Sequence, residues 1–230
     1  MALTRELLGM MKPHLRPGKM ASLGYPDLIA PETDLESMVG SRIYSLKRRP
    51  DSEAICKRHL IQSRKIVDTR AFFDALGIEL TVFDIVRERG EEVMLDLNYP
   101  LPEVHKQRFD FVIDIGTLEH CFNIGQALQN MAGLLKAGGM IFHENPFNWG
   151  NHGFYNINPT LYYDFYGING FDVMESWLVG RDGHKERAEP TRRFVLTGGE
   201  AKIILCAGRK QIGEFVFPMQ TKYRKTVSVN

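Results

Sequence analysis

Cysteine is scarce in this chain, and a surplus of charge of either sign is absent. The 230 residues hold three cysteines, Cys56, Cys121 and Cys206, scattered and odd in number. That argues against a disulfide framework and fits a reducing compartment. There is no C-x-x-C pair, so no structural zinc motif is expected. Lys and Arg number 29 against 28 Asp and Glu, a formal net charge of +1. No global field therefore favours nucleic acid or an anionic membrane. No apolar run is long enough to span a bilayer, and the amphipathic, charge-bearing start of the chain does not read as a signal peptide. A nucleophile-elbow G-x-S-x-G and a Walker phosphate loop are both missing. A cytoplasmic protein acting on a small molecule is the expectation.

What is present is a regular alternation of helical and strand patterns. Thr4 to Leu15 reads as a helix, with Leu7, Leu8 and Met11 on one face. Lys19 to Gly24 is a short strand. Residues 29–50 read as a long loop or insertion with at most one short helix, suited to a lid. The spacing predicts one long helix from Asp51 to Leu76, ended by Gly77. Ile78 to Ile85, Glu91 to Leu97 and Phe109 to Ile115 are strands. The last is a continuous apolar run, expected to be buried on both faces. Ile124 to Leu135 is an amphipathic helix, Gly138-Gly139 its end, and Met140 begins the next strand. Pro159 to Tyr166 is a short helix. Strands near Asp172 to Val179 and Ala201 to Arg209 are separated by a charged hairpin or loop. The alternation implies an α/β protein with a mainly parallel sheet covered on both sides, in a single domain.

The stretch from Phe109 to Pro146 (FDFVIDIGTLEHCFNIGQALQNMAGLLKAGGMIFHENP) carries the most information. Its Phe109-Asp110, Gly116, Leu118-Glu119-His120 and Leu135-Lys136-Ala137-Gly138-Gly139 resemble the class I S-adenosylmethionine-dependent methyltransferase superfamily. The likeness spans about residues 4 to 210. It implies a Rossmann-like doubly wound, mainly parallel seven-stranded sheet with an antiparallel last strand, and S-adenosylmethionine as cofactor. By the same resemblance Asp84, closing the second strand, meets the cofactor ribose. Asp96 and Leu97 lie where the adenine is read, and Gly116 and Thr117 flank the methionine end. The first-strand turn departs from the family. Ala21-Ser22-Leu23-Gly24-Tyr25-Pro26-Asp27 keeps one glycine where the family has a glycine-rich turn. Pro26 lacks a backbone donor, and Tyr25 sets a large ring where the cofactor's methionine end would lie. Gly24 and Tyr25 are nonetheless the cofactor candidates in that turn.

Methyl transfer needs an oriented acceptor and a way to remove its proton. Histidine suits the second task near neutral pH. Of seven histidines, His120, His143 and His152 fall beside expected strand ends. His143 and Glu144 are adjacent in a strand and should face opposite sides. The run from Asn145 to Pro159 offers amides and aromatic rings suited to a neutral polar acceptor such as a sugar. His152 and Tyr155 are the acid–base candidates. His120, Asn148, Trp149 and Tyr162 are the substrate-binding candidates. His143, Glu144 and His152 do not have the spacing of a known metal motif, so no metal is expected. Three readings follow. The first is methyl transfer to a small polar acceptor, a sugar or a glycan or secondary-metabolite precursor. The second is a methyltransferase-like binding or scaffold protein that has lost the cofactor, and the third is another ligand in the same crevice. A homodimer is left open.

Overall fold

The computed structural model describes residues 1–189 and 199–224. Among the described residues, eight strands form the main sheet: β1 (Gly18–Leu23), β2 (Ile78–Asp84), β3 (Val93–Met94), β4 (Phe109–Ile115), β5 (Leu135–Pro146), β6 (Phe171–Gly180), β7 (Lys185–Arg187) and β8 (Ala201–Arg209). Their order is β3-β2-β1-β4-β5-β8-β6-β7. β1 to β5 pair in parallel, with Ser22 between Val82 and Ile113. β8 enters antiparallel between β5 and β6. The short β7 adds an edge beyond the seven expected strands. Part of the connection from β7 to β8 lies outside the described residues.

Strand alternation divides the core into two layers. On one face Ala21, Leu23, Val112, Ile141, Ile203 and Leu205 pack against α5 (Ile124–Leu134) and α6 (Pro159–Ile168). On the other, Met20, Phe111, Ile113, Phe142, Ile204 and Cys206 pack against α1 (Arg5–Met11), α2 (Glu32–Val39) and α4 (Thr69–Ala75). Each fully buried Leu, Ile or Phe contributes about 1.5–3 kcal/mol of transfer free energy, so this pattern fixes which way every strand faces. Residues 29–50 fold as α2 and a following 3-10 turn, with Leu35, Val39 and Ile43 buried in that second layer.

The expected helix from Asp51 to Leu76 is two helices, α3 (Ser52–Arg58) and α4. Leu60 takes φ +53, and the chain runs non-helically until Asp68. The Asp68 carboxylate then accepts the Ala71 N–H at 3.0 Å and starts a new helix. The Gly138-Gly139 pair does not separate helix from strand. α5 ends at Leu134 and β5 begins at once, with Gly138 at φ +75 inside it.

The parallel strands β1, β2, β4 and β5 all end at one edge, at Leu23, Asp84, Ile115 and Pro146. The turns after them carry the candidate residues, at the carboxyl edge where open α/β sheets bind ligands. The chain leaves β1 through Gly24 and forms a short parallel pairing of Asp27–Leu28 with Ala2–Leu3. That pairing lays the Met1 side chain over Gly24.

Candidate active site

A cavity of about 650 Å³ opens at this edge. Gly24, Asp84, Asp96, Leu97, Gly116, Thr117 and His120 all line it, so the ends of β1, β2, β3 and β4 bring these candidates together. Its apolar walls are Leu23, Phe83, Leu95 and Cys121. Gly24 and Gly116 have φ +80 and +78, backbone conformations that favour glycine and expose the main chain to a ligand. Asp84 Oδ1 accepts the Val86 N–H at 3.2 Å, and Oδ2 lies on the Gly24 side of the cavity. Asp96 Oδ1 accepts from the Asn98 N–H at 2.9 Å and from its side-chain amide at 2.8 Å, which fixes the turn. Thr117 Oγ1 donates to the Leu23 carbonyl at 2.7 Å, clamping the turns after β1 and β4 together.

Two cofactor-site features differ from expectation. Tyr25 does not reach the cavity. Its ring is buried on the opposite side of the turn, where the hydroxyl pairs with Asp68 at 3.1 Å and the face lies 4.1 Å from the Arg89 guanidinium carbon. Pro26 turns the chain toward the pairing with Ala2–Leu3, and the ring follows the arginines instead of the crevice. The group beside Gly24 is Met1, whose Sδ lies 3.3 Å from Thr117 Oγ1.

Beneath the cavity is a buried polar network that linear spacing did not reveal. Asp114, fully buried in β4, accepts from the Thr117 and Leu118 N–H groups at 3.0 and 3.2 Å. Its Oδ2 pairs with His143 Nδ1 at 2.8 Å and accepts from Asn145 Nδ2 at 3.0 Å. Asn145 Nδ2 also donates to Glu119 Oε2 at 3.0 Å, and Tyr162 donates to Asn145 Oδ1. Tyr162 is fully buried. It belongs to this network and does not line the cavity, unlike the expectation that it lies at the substrate. His143 is satisfied on both nitrogens, by Asp114 and Tyr166. Glu144 faces the opposite side and pairs with Lys202 at 2.8 Å. The one prior signal for this network was the polar alternation of Asp114, His143 and Asn145 within otherwise apolar strands.

Glu119 is the pivot of the site. Its side chain is fully buried in the turn after β4. Burial first, then the neighbouring Asp114 charge, push its carboxyl up to about 7. Oε1 has no hydrogen-bond partner and lies 3.5 Å from His152 Nε2. The His120 and His152 rings are 5.1 Å apart between centroids. Burial, then His152, lower the pKa of His120. The loop carrying His152 is anchored from below, because the Phe154 and Tyr155 N–H groups donate to the Glu119 carbonyl at 2.8 and 3.2 Å. Trp149 meets His152 edge-on at 5.0 Å. Tyr155 donates to the Phe122 carbonyl at 2.9 Å, and Asn148 ties the loop to β8 through the Ala201 N–H. These two residues therefore brace the loop. Beside the mouth, Phe122 and Phe154 stay exposed as an edge-to-face pair 5.5 Å apart.

No protein-family model matches the sequence, and no curated protein matches it. Solved structures do match in three dimensions. One is the Burkholderia thailandensis 1,6-didemethyltoxoflavin-N1-methyltransferase with bound 1,6-didemethyltoxoflavin and S-adenosylhomocysteine. It superposes with TM-score 0.52 at 15% identity over 90% of this chain and 78% of that one. The MccD protein superposes with TM-score 0.51 at 9% identity, over 90% of this chain and 97% of that one. The strand order, with its antiparallel β8 and the cavity at the carboxyl edge, defines the class I S-adenosylmethionine-dependent methyltransferase fold. The chain has that Rossmann-like fold, and at these identities the likeness concerns the fold alone. Among the described residues no helix is long and apolar enough to cross a membrane.

Proposed function

We propose that the protein transfers a methyl group from S-adenosylmethionine to a small polar acceptor, of the kind a sugar or a glycan or secondary-metabolite precursor presents. The observation that carries this reading is one cavity joining Asp84, Asp96 and Gly116, at the ends of β2, β3 and β4 on one edge of the sheet. These donors and acceptors suit the parts of the cofactor. The Asp84 carboxylate can accept from ribose hydroxyls. The apolar walls and the Asp96–Leu97 backbone suit a purine ring, and the bare backbone at Gly24 and Gly116 suits the amino-acid end. S-adenosylmethionine, when bound, supplies a methyl group activated on a sulfonium.

The chain's own part is to hold the acceptor and receive its proton. Phe122 and Phe154 give an apolar platform beside the mouth, and His120 lines both the cavity and that mouth. As the acceptor oxygen or nitrogen takes the methyl, its proton passes to the Glu119–His120–His152 cluster, with His152 as the accessible member. Tyr155 supports this arrangement by bracing the loop. Calorimetry with S-adenosylhomocysteine tests the cofactor reading: saturable binding with one equivalent supports it, and no binding at millimolar ligand removes it.

A second reading is favoured by Met1, whose side chain shares space with the methionine end of such a ligand. On this reading the protein is a methyltransferase-like binding or scaffold protein, and the cavity no longer admits the cofactor. The same calorimetry separates the two.

A further inference from the structure

Glu119, His120 and His152 each present one ligand atom to a common point, and these atoms lie within 4.8 Å of one another. Two observations set the cluster apart from ordinary surface polarity. Glu119 is fully buried, yet its Oε1 has no hydrogen-bond partner and faces the histidines. Its other oxygen is held by Asn145, which is itself fixed by Asp114 and Tyr162. A buried carboxylate oxygen left unpaired costs about 1–3 kcal/mol or more, so the site is built for something that the protein's own donors do not supply. The 3.5 Å separation of Oε1 from His152 Nε2 is long for a hydrogen bond. It is close to the roughly 3.4 Å that separates two ligands bound at about 2.1 Å to one tetrahedral metal ion.

We propose that Glu119, His120 and His152 bind a divalent transition-metal ion at the mouth of the cavity. Two imidazoles and one carboxylate suit zinc, cobalt, manganese or iron in the divalent state. Three protein ligands leave at least one coordination position open. The buried network beneath Glu119 acts as the outer shell that aims the carboxylate, a role such shells have at metal sites. Linear spacing pointed elsewhere because Glu119-His120 and His152 come from different strand ends. They meet only when the loop after β5 folds onto the Glu119 carbonyl. Resting on the methyl-transfer reading, a bound ion would take up the three side chains that otherwise receive the acceptor's proton, and would instead hold the acceptor oxygen or nitrogen at its open position and make that group more acidic.

The test uses the whole chain, dialysed against a chelator and titrated with Co²⁺. We expect one equivalent to bind, with visible absorption bands of a nitrogen–oxygen site, and Zn²⁺ to displace it. His120→Ala and His152→Ala should each weaken Co²⁺ binding by at least about tenfold. Because His152 is partly exposed, its loss does not threaten the fold. Glu119→Gln keeps the side chain's shape and should also weaken binding, and His184→Ala, in a distant exposed turn, should not. Circular dichroism verifies that each variant is folded. Absence of binding at millimolar Co²⁺ by the folded protein, or binding indifferent to both histidine substitutions, overturns the proposal. S-adenosylhomocysteine binding is measured on the same samples. Cofactor binding without metal binding removes the ion alone, and metal binding without cofactor binding leaves the ion's site standing and removes methyl transfer.

Discussion

At the scale of single residues, Asp84 has a carboxylate with only one oxygen engaged locally, by Val86, at the end of a strand that forms one wall of the cavity. Hydrogen bonds from a ligand to a charged group are worth about 1.5–3 kcal/mol. Asp84→Ala should therefore weaken S-adenosylhomocysteine affinity by about ten- to a hundredfold, while changing stability by less than about 1 kcal/mol. Calorimetry and urea denaturation read the two effects separately; unchanged affinity would show that no ribose is read there. Tyr162 should behave in the opposite way. Its hydroxyl donates to Asn145 in the fully buried network, so Tyr162→Phe leaves an acceptor unpaired and should cost about 1–3 kcal/mol of stability. Asp84, Asp96 and Gly116 were legible in the sequence because a strand followed by a polar residue or glycine marks a sheet edge locally. The Asp114–Asn145–Glu119 network was not, because its members are brought together by strand register, with Asp114 opposite His143. The direction of Tyr25 was not legible either, since it depends on Arg49, Arg89 and Asp68, which are distant along the chain.

At the scale of elements, the strands were more legible than the helices on one side of the sheet. Buried strands announce themselves as apolar runs such as Phe109–Ile115. The region from Asp51 to Leu76 has enough helix formers to pass as one helix, and what divides it is the capping competition at Asp68. That side chain holds both the Ala71 N–H and the Tyr25 hydroxyl. Asp68→Ala should accordingly cost about 1–2 kcal/mol, measured by chemical denaturation. An effect near zero would mean that α4 starts without its cap. The same reasoning applies inside β5. Gly138 has φ +75, and a left-handed conformation costs a residue with a side chain roughly 1–2 kcal/mol. Gly138→Ala should lower stability by about that amount and leave ligand binding unchanged, because the position lies at the end of β5 remote from the cavity. The Gly138-Gly139 signal was real in the sequence, but it served a distortion at the start of a strand and not the end of a helix.

At the scale of the whole molecule, the two halves of the first turn act on the cavity in opposite ways. Gly24 puts no side chain of its own into the cavity, while the pairing of Asp27–Leu28 with Ala2–Leu3 lays Met1 across that backbone. On the methyl-transfer reading, a cofactor whose amino-acid end enters beside Gly24 must move the Met1 side chain, and its net affinity is reduced by whatever that displacement costs. Binding to the folded state alone stabilises it by about 2.7 kcal/mol when ligand is present at a hundred times Kd. For a chain of this size each kcal/mol moves Tm by about 2–4 °C, so S-adenosylhomocysteine should raise Tm by several degrees. A variant lacking Met1 should show a larger rise at the same ligand concentration, and its Kd by calorimetry should be lower than that of the full chain. Equal shifts in both would mean that Met1 swings aside without cost. A shift seen only in the variant would mean that the Met1 contact closes the cavity to the cofactor, and no shift in either would favour the scaffold reading, with an intact fold whose central crevice no longer takes the ligand its architecture suits.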